Sequence, residues 1–390
     1  MGKFNSTRLR EARLYRKKTI EELATLIKIS KQAISQFENR KAEPDFNTLH
    51  EISRVLRFPV QFFREEVTNN VVIGNTYFRA PFSSNKKDMN SQHYKAEYIT
   101  FIHDCLTEYV DFPKLNIPHF AMTSDIEQIA SRVRDFWGLG LEPIPDMISL
   151  LERNGIVVSE LSTEVQAIDA FYQYTERSGK EYHCIVLGTD KNSFARRQFS
   201  AAHELAHILL HKQGDNYQEL DRDEFKKIEY EAHKFASAFL LPKETFGLDV
   251  SAYANKLDFY VELKRKWKVS ISAMIRRAFE IESISANQYQ YLMRQMSSKG
   301  WRKKEPLDDY LILKKPKAIK QAINMLILNN YLTPKQIFQL FSEYGKSLPK
   351  NVVDEVLNLE PDILPDALYG ETEEFIDTNI VKLFPRTRQN

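Results

Sequence analysis

The segment His203-Glu204-Leu205-Ala206-His207 sets two imidazoles one helical turn apart, the spacing with which a single helix grips one metal ion. Around it Phe199, Ala202, Leu205, Ala206, Leu209 and Leu210 recur at helical spacing, so the run from Gln198 to His211 is predicted to be a helix with a buried face. Glu204 has the chemistry of a general base, able to take a proton from an attacking water while His203 and His207 hold the ion. The pentapeptide also arises by chance. A catalytic zinc site needs three protein ligands and leaves its fourth position open, so a third donor is required from elsewhere in the chain.

The run from Ile228 to Pro242 supplies the candidates. Its residues Ile228, Ala232, Phe235, Ala236 and Phe239 keep helical spacing, and Pro242 is a natural stop. Glu229 and Glu231 lie on different faces of such a helix, so only one faces the metal. Glu229 is favoured, because His233 follows it by one turn and is placed to orient a metal-bound histidine from behind; Glu231 is then a solvated carboxylate. His211, one turn after His207, either faces the cleft or ends the helix, where the dipole favours it.

These two segments resemble the ImmA/IrrE family of zinc metallopeptidases. The likeness rests on Arg196, Arg197 and Phe199 ahead of the His-Glu-x-x-His helix, and on Glu229, Ala232, Phe235, Ala236, Leu241 and Pro242 after it. The resemblance implies zinc on His203, His207 and Glu229, with Glu204 as the base. The chain departs from the family at His233, where relatives usually carry Asn or Asp.

Near the N-terminus, Thr19 to Ile27 and Ser30 to Glu38 form two short amphipathic runs at helix-turn-helix spacing. Ser30 suits an N-cap, Ala33, Ile34 and Phe37 can pack the second run, and Lys31, Gln32, Ser35 and Gln36 point outward with base-reading chemistry. Asn39 and Lys41 follow with turn and phosphate-contact chemistry, and Leu49, Ile52, Val55 and Leu56 supply a further core-facing helix. Residues 1–66 resemble an XRE-type helix-turn-helix domain, whose signature lies at Ser35 to Pro44. Over residues 1–70 there are 14 Lys and Arg against 9 Asp and Glu, the modest basic excess that phosphate contact requires. Such domains also serve as dimerisation or docking modules.

The composition, 390 residues with 28% charged, 43% hydrophobic and net charge +2, suits two or three domains with real cores. No apolar run is long enough to span a membrane, and the first residues lack the apolar stretch of a secretory signal, so a cytoplasmic location is expected. Cys105 and Cys184 give neither a disulfide framework nor a Cys-x-x-Cys site and are read as packing residues.

The fold class expected is multidomain and mainly α: an all-α helix-turn-helix domain (1–66), a linker and helical connector (67–123), an α+β zincin-like peptidase domain with a small sheet (124–245), a helix-turn-helix-like bundle (246–310), and a helical C-terminal extension with a polar tail (311–390). Within the connector a helix is expected from about Asp88 to Val110, after a polar linker at 69–87. Strands are expected near 155–159, 167–174 and 182–187. The last is either an edge strand that holds a substrate backbone or a plain core strand. Lys264 to Lys268, Arg276-Arg277 and Trp301 to Lys304 mix basic and aromatic residues, read either as a single-strand nucleic-acid surface or as a solvated face with core tryptophans.

The function expected is a DNA-associated, zinc-dependent endopeptidase. In the family it resembles, such enzymes typically inactivate a cognate repressor in stress, mobile-element or phage-defence circuits. Its partners would be a protein substrate encoded nearby and DNA bound through the N-terminal domain, with no membrane and with a homodimer where half-sites are read. Tyr230, His211 and His233 are the candidates for an oxyanion donor. The alternative is a helix-turn-helix regulator or antitoxin-like protein whose peptidase fold senses without turnover.

Overall fold

Side-chain caps start the N-terminal helices. Asn5 accepts a hydrogen bond from the Thr7 amide ahead of α1 (Ser6–Tyr15), a Thr19/Glu22 capping box opens α2 (Ile20–Leu26), Ser30 caps α3 (Lys31–Glu38), and Asp45 caps α4 (Phe46–Leu56). A 3-10 turn, Val60–Arg64, completes this domain. In this computed structural model, residues 3–66, 71–78, 85–118, 125–161, 169–189, 193–211, 220–360, 363–364 and 381–382 are described.

Next come β1 (Val71–Phe78), the long α5 (Lys86–Leu106), β2 (Val110–Asp111), α6 (Ile126–Phe136), α7 (Met147–Arg153), β3 (Val157–Leu161), β4 (Ala170–Arg177) and β5 (Lys180–Gly188). The metal-motif helix is α8 (Phe194–Leu210), and its partner is α9 (Arg222–Leu240). The remaining elements are α10 (Lys243–Ser251), α11 (Phe259–Trp267), α12 (Ile271–Glu280), α13 (Ala286–Ser298), α14 (Ala318–Leu328), α15 (Pro334–Glu343), α16 (Lys350–Leu357) and β6 (Val381–Lys382). The fold is mainly helical with a small sheet, as expected. No helix among the described residues is long and apolar enough to cross a membrane.

The sheet is four-stranded in the order β1-β4-β5-β3; β4 runs antiparallel to both β1 and β5, and β3 runs parallel to β5. Ser178 and Gly179, with φ of 50° and 75°, make the tight turn between β4 and β5; positive φ at both positions matches the strand twist. Alternation along the strands gives the sheet two apolar faces. Phe171, Tyr182, Cys184 and Val186 join a core with α1–α5 and α14–α16, while Tyr172, Tyr174, Ile185 and Leu187 join a second core with α6–α13.

Two expectations change here. Part of the supposed linker, 71–78, is an edge strand paired with β4. The helix read as a connector, α5, is instead the centre of the first core: Tyr98, Ile99, Phe101, Ile102, Cys105 and Leu106 are all fully enclosed. Burial of side chains of this size contributes about 1.5–3 kcal/mol each, which fixes α5 as a structural axis. Its polar residues Glu97, buried, and Asp104, half-buried, escaped the pattern because they are paired with cations. Glu97 meets Arg177 at 3.1 Å and Lys346 at 2.6 Å, and Asp104 meets Arg177 at 3.3 Å.

A second buried carboxylate carries a pH prediction. Glu152, at the end of α7, accepts hydrogen bonds from the amides of Lys317 and Ala318 through Oε1 at 2.8 and 2.9 Å and so caps α14, while its Oε2 is buried without a partner. Burial raises its pKa to about 7 against the opposing pull of those two amides. A carboxyl raised from about 4.3 in the unfolded chain contributes stability that is complete below that value and is lost as pH rises through about 7. Glu152→Gln keeps the accepting oxygen and removes the titration. Urea unfolding followed from pH 4 to pH 8 is expected to show the variant gaining on wild type by up to about 3 kcal/mol as pH rises; parallel curves would show that Glu152 ionises freely.

Candidate metal centre

Polar anchors seat α8 before its histidines are reached. Arg197 forms a buried ion pair with Glu160 of β3 at 2.6 Å, and Arg196 meets Asp169 at 2.8 Å. Gln198 accepts from the Met147 amide and donates to the Ile144 carbonyl at 3.0 Å, tying α8 to the start of α7. Beyond these, Ala201, Ala202, Leu205 and Ala206 pack fully buried in the second core, against Ala232, Phe235, Ala236 and Phe239 of α9. Alanines on both helices leave room for the longer polar side chains between them. An Asp221/Glu224 capping box fixes the start of α9.

That packing brings His203, His207 and Glu229 together, the one group of potential metal donors found among the described residues. The Nε2 atoms of His203 and His207 lie 3.3 Å apart, and the two oxygens of Glu229 lie 3.4 Å from His203 Nε2 and 3.5 Å from His207 Nε2. Tetrahedral zinc, with bonds of about 2.0–2.1 Å, requires donors about 3.3–3.4 Å apart. The imidazole pair therefore has the spacing zinc requires, and the Glu229 carboxylate, with one oxygen toward each nitrogen, completes a donor set whose chemistry fits the ion. Burial alone would raise the pKa of Glu229, but hydrogen bonds and charge from His203 and His207 outweigh it and hold the carboxylate down to about 2, the ionised form that a ligand must have. Glu204 lies on α8 between the histidines, only 2% exposed.

The neighbouring candidates separate. His233 packs its ring against Phe199, with centroids 4.9 Å apart. Tyr230 is 58% exposed. His211 touches a donor residue: its Nδ1 is 3.0 Å from His207 Nδ1, and its Nε2 is 3.4 Å from Glu231. Burial and the neighbouring imidazoles pull its pKa down to about 3, so it is neutral. Glu231, read as a solvated carboxylate, remains 30% exposed and stands beside His211 without a hydrogen bond to it. The sequence signal was the repeat of the four-residue step from 203 to 207 to 211. The helix ends at Leu210, and the extended backbone of His211 (φ −114°, ψ 140°) frees its ring from the face that α8 imposes.

In the N-terminal domain, Arg13 clamps Glu38 through two bonds at 2.5 and 2.7 Å and so fastens α3 to α1. Lys31, Gln32, Gln36, Asn39 and Lys41 are exposed, whereas Ser35 is half-buried. Asn39 donates to the Ser35 carbonyl at 2.7 Å, closing the end of α3. Lys31 has only an exposed contact with Glu21 at 3.3 Å.

The structure decides between two pairs of alternatives that the sequence leaves open. The 182–187 segment lies within β5, an interior strand paired with β4 on one side and β3 on the other, so it has no open edge for a substrate backbone. The basic and aromatic residues of 264–304 do not form a stacking surface. Lys264 is fully buried between Glu305 and Asp308 at 2.8 and 2.7 Å, Trp267 is 1% exposed and donates to Asp249, and Arg277 is buried against Glu127. The acidic residues that neutralise Lys264 and Arg277 lie 41 to 150 positions away, beyond the reach of a local pattern.

Comparison with known families gives two matches. Residues 151–279, from the end of α7 into α12, match the family described as IrrE N-terminal-like domain, a peptidase family. Residues 9–63 match the helix-turn-helix family. No curated protein matches the chain.

Proposed function

From a chain that joins an N-terminal helix-turn-helix domain to an IrrE-like peptidase domain, we propose a cytoplasmic, DNA-associated zinc endopeptidase that cleaves a partner protein, a transcriptional repressor encoded nearby. The observation that carries this reading is a pair of imidazole nitrogens 3.3 Å apart, each approached by a different oxygen of the Glu229 carboxylate at 3.4 and 3.5 Å, beside a second, buried carboxylate. His203, His207 and Glu229 would hold zinc, and Glu204 is left for proton transfer. A zinc ion held there would supply Lewis acidity. Glu204 accepts the proton released as water attacks the carbonyl and returns it to the leaving amine nitrogen.

The reading is tested by incubating the zinc-loaded chain with the proteins encoded beside it, with and without DNA, and identifying products by mass spectrometry. A single chelator-sensitive cut in one neighbour is expected. Intact proteins under every condition, with zinc bound and DNA binding retained, would leave a regulator that senses without turnover.

The DNA-facing part of the proposal rests on the exposed side of α3, presented by a homodimer to two half-sites. Gln36→Ala is expected to cost about 1–3 kcal/mol of discrimination at one base position. Lys41→Ala is expected to weaken all sequences alike and to lower the salt slope by about 1. Binding titrations on an operator library at several salt concentrations separate the two. Unchanged specificity and salt slope in both variants would move the DNA contact away from α3.

A further inference from the structure

His207 is held from behind by a side chain outside the donor triangle. Its Nε2 faces His203 and Glu229, while its Nδ1 lies 3.0 Å from His211 Nδ1. The two rings are tilted by 46° with centroids 5.0 Å apart. The far nitrogen of His211, Nε2, lies 3.4 Å from Glu231 Oε2. The His211 side chain is 5% exposed and that of Glu231 is 30% exposed, so the row of groups runs from the donor set to the surface of α9. Lys227 stands at its outer end, 4.0 Å from the other Glu231 oxygen.

Resting on the zinc reading above, we propose that His211 and Glu231 are positioning residues that fix the tautomer and orientation of the His207 ring. The protons can be placed one after another. A histidine that ligates through Nε2 must carry its proton on Nδ1. The group that faces His207 Nδ1 at 3.0 Å is His211 Nδ1, which accepts that proton when it is bare. A neutral His211 with a bare Nδ1 carries its proton on Nε2, and that atom faces the Glu231 carboxylate. One requirement at the metal thus accounts for both tautomers, and the row ends beside an anion at 3.4 Å that favours the proton on His211 Nε2 through its charge, without a hydrogen bond. Partners of this kind raise the basicity of a ligating imidazole and hold its plane toward the ion.

The local backbone makes the contact available. Had α8 continued, His211 would stay on the helical face shared with His207, whereas its extended conformation lets the ring lie between the end of α8 and the flank of α9 that carries Glu231. Glu229 and Glu231 therefore serve one centre from two flanks of α9. Glu229 faces both donor imidazoles, and Glu231 faces the imidazole behind one of them.

The test is zinc affinity of the full chain, measured by competition with a chromophoric chelator, together with the visible spectrum of the cobalt-substituted protein. His211→Phe keeps a ring and removes the acceptor; affinity is expected to fall by about 10–100-fold and the cobalt bands to shift. His211→Asn returns an acceptor at the Nδ1 position and is expected to recover most of the affinity and the wild-type spectrum, which packing alone would not predict. Glu231→Ala, on the exposed flank of α9, is expected to weaken zinc several-fold and serves if the phenylalanine variant does not fold. Wild-type affinity in His211→Phe, or in Glu231→Ala where that variant must decide, overturns the proposal while the zinc site stands. Absence of zinc binding in the wild type overturns both, and His207→Ala, which must lose zinc if the site is real, tells the two failures apart.

Discussion

Glu204→Gln is expected to slow cleavage of the protein substrate by about 10²–10⁴-fold, the range that a positioned general base contributes. At about 1.4 kcal/mol per factor of ten, this corresponds to about 3–5 kcal/mol of transition-state stabilisation. Glutamine keeps the shape of the side chain in a position that is 2% exposed, so the fold and its packing should be retained. Glu204 is also outside the donor triangle of His203, His207 and Glu229, so zinc stoichiometry should match wild type. The informative result is therefore a split, with metal bound and turnover lost. It is checked by following product formation by mass spectrometry in wild type and variant at equal zinc occupancy. Cleavage at the wild-type rate would remove Glu204 from the proton-transfer role and would transfer that role to another group near the cleft.

The second large effect concerns how the N-terminal domain is fastened to the body. Lys346, in the loop after α15, lies 3.0 Å from Glu11 of α1 and 2.6 Å from Glu97 of α5, with its ammonium over the Tyr98 ring at 4.8 Å. Arg8 pairs with Glu11 at 2.9 Å, and Arg177 of β4 pairs with Glu97. Cations and anions alternate through this buried row, which joins the helix-turn-helix domain, α5, the sheet and the C-terminal helices. Removing the central ammonium leaves two buried carboxylates partly uncompensated, and Lys346→Ala is expected to cost about 3–5 kcal/mol.

Lys346→Met separates charge from packing, because it keeps an unbranched apolar chain beside Tyr98 and Phe101. Burial opposes ionisation of Glu11, but Lys346 and Arg8 overcome it and hold its pKa down to about 2. A carboxylate depressed in the folded state contributes stability that is present above the unfolded value of about 4.3 and lost as pH falls through the folded one. Wild type should accordingly lose stability between about pH 4.3 and pH 2, and Lys346→Met should lose less over that window because Glu11 is less depressed. Urea unfolding, with hydrogen exchange of α1 amides to report separation of the N-terminal domain, measures both. A Lys346→Ala variant within about 0.5 kcal/mol of wild type would show that the row contributes orientation without stability.

This fastening bears on regulation. An N-terminal domain joined to the peptidase body by a buried charged row is held in a set orientation rather than tethered. The exposed side of α3 and the metal centre are then parts of one framework, and the sequence reading of a linker followed by a connector understated that link. The Asn69 to Lys87 stretch reads as a polar linker, and the carboxylates of α5 pair with residues far along the chain that no local pattern records.

Features written in short-range spacing were legible in the chain alone. A step of four residues puts His203 and His207 side by side on any α-helix, and Ser30, Thr19 and Asp45 can cap the helices that follow them whatever the rest of the chain does. Helical repeats at 199–210 and 228–239 mark the faces that pack. The helix-turn-helix signature at Ser35 to Pro44 is local in the same sense. Tertiary structure decided which faces meet. It set Glu229 against both imidazoles, turned His211 off the end of α8 toward Glu231, closed both edges of β5, and buried Lys264, Trp267 and Arg277 that a local pattern leaves ambiguous. The physical reason is one of range. Backbone geometry fixes neighbours within a turn or two, whereas the crossing of two helices, the order of strands and the pairing of buried charges depend on residues tens to hundreds of positions apart, which no local periodicity records.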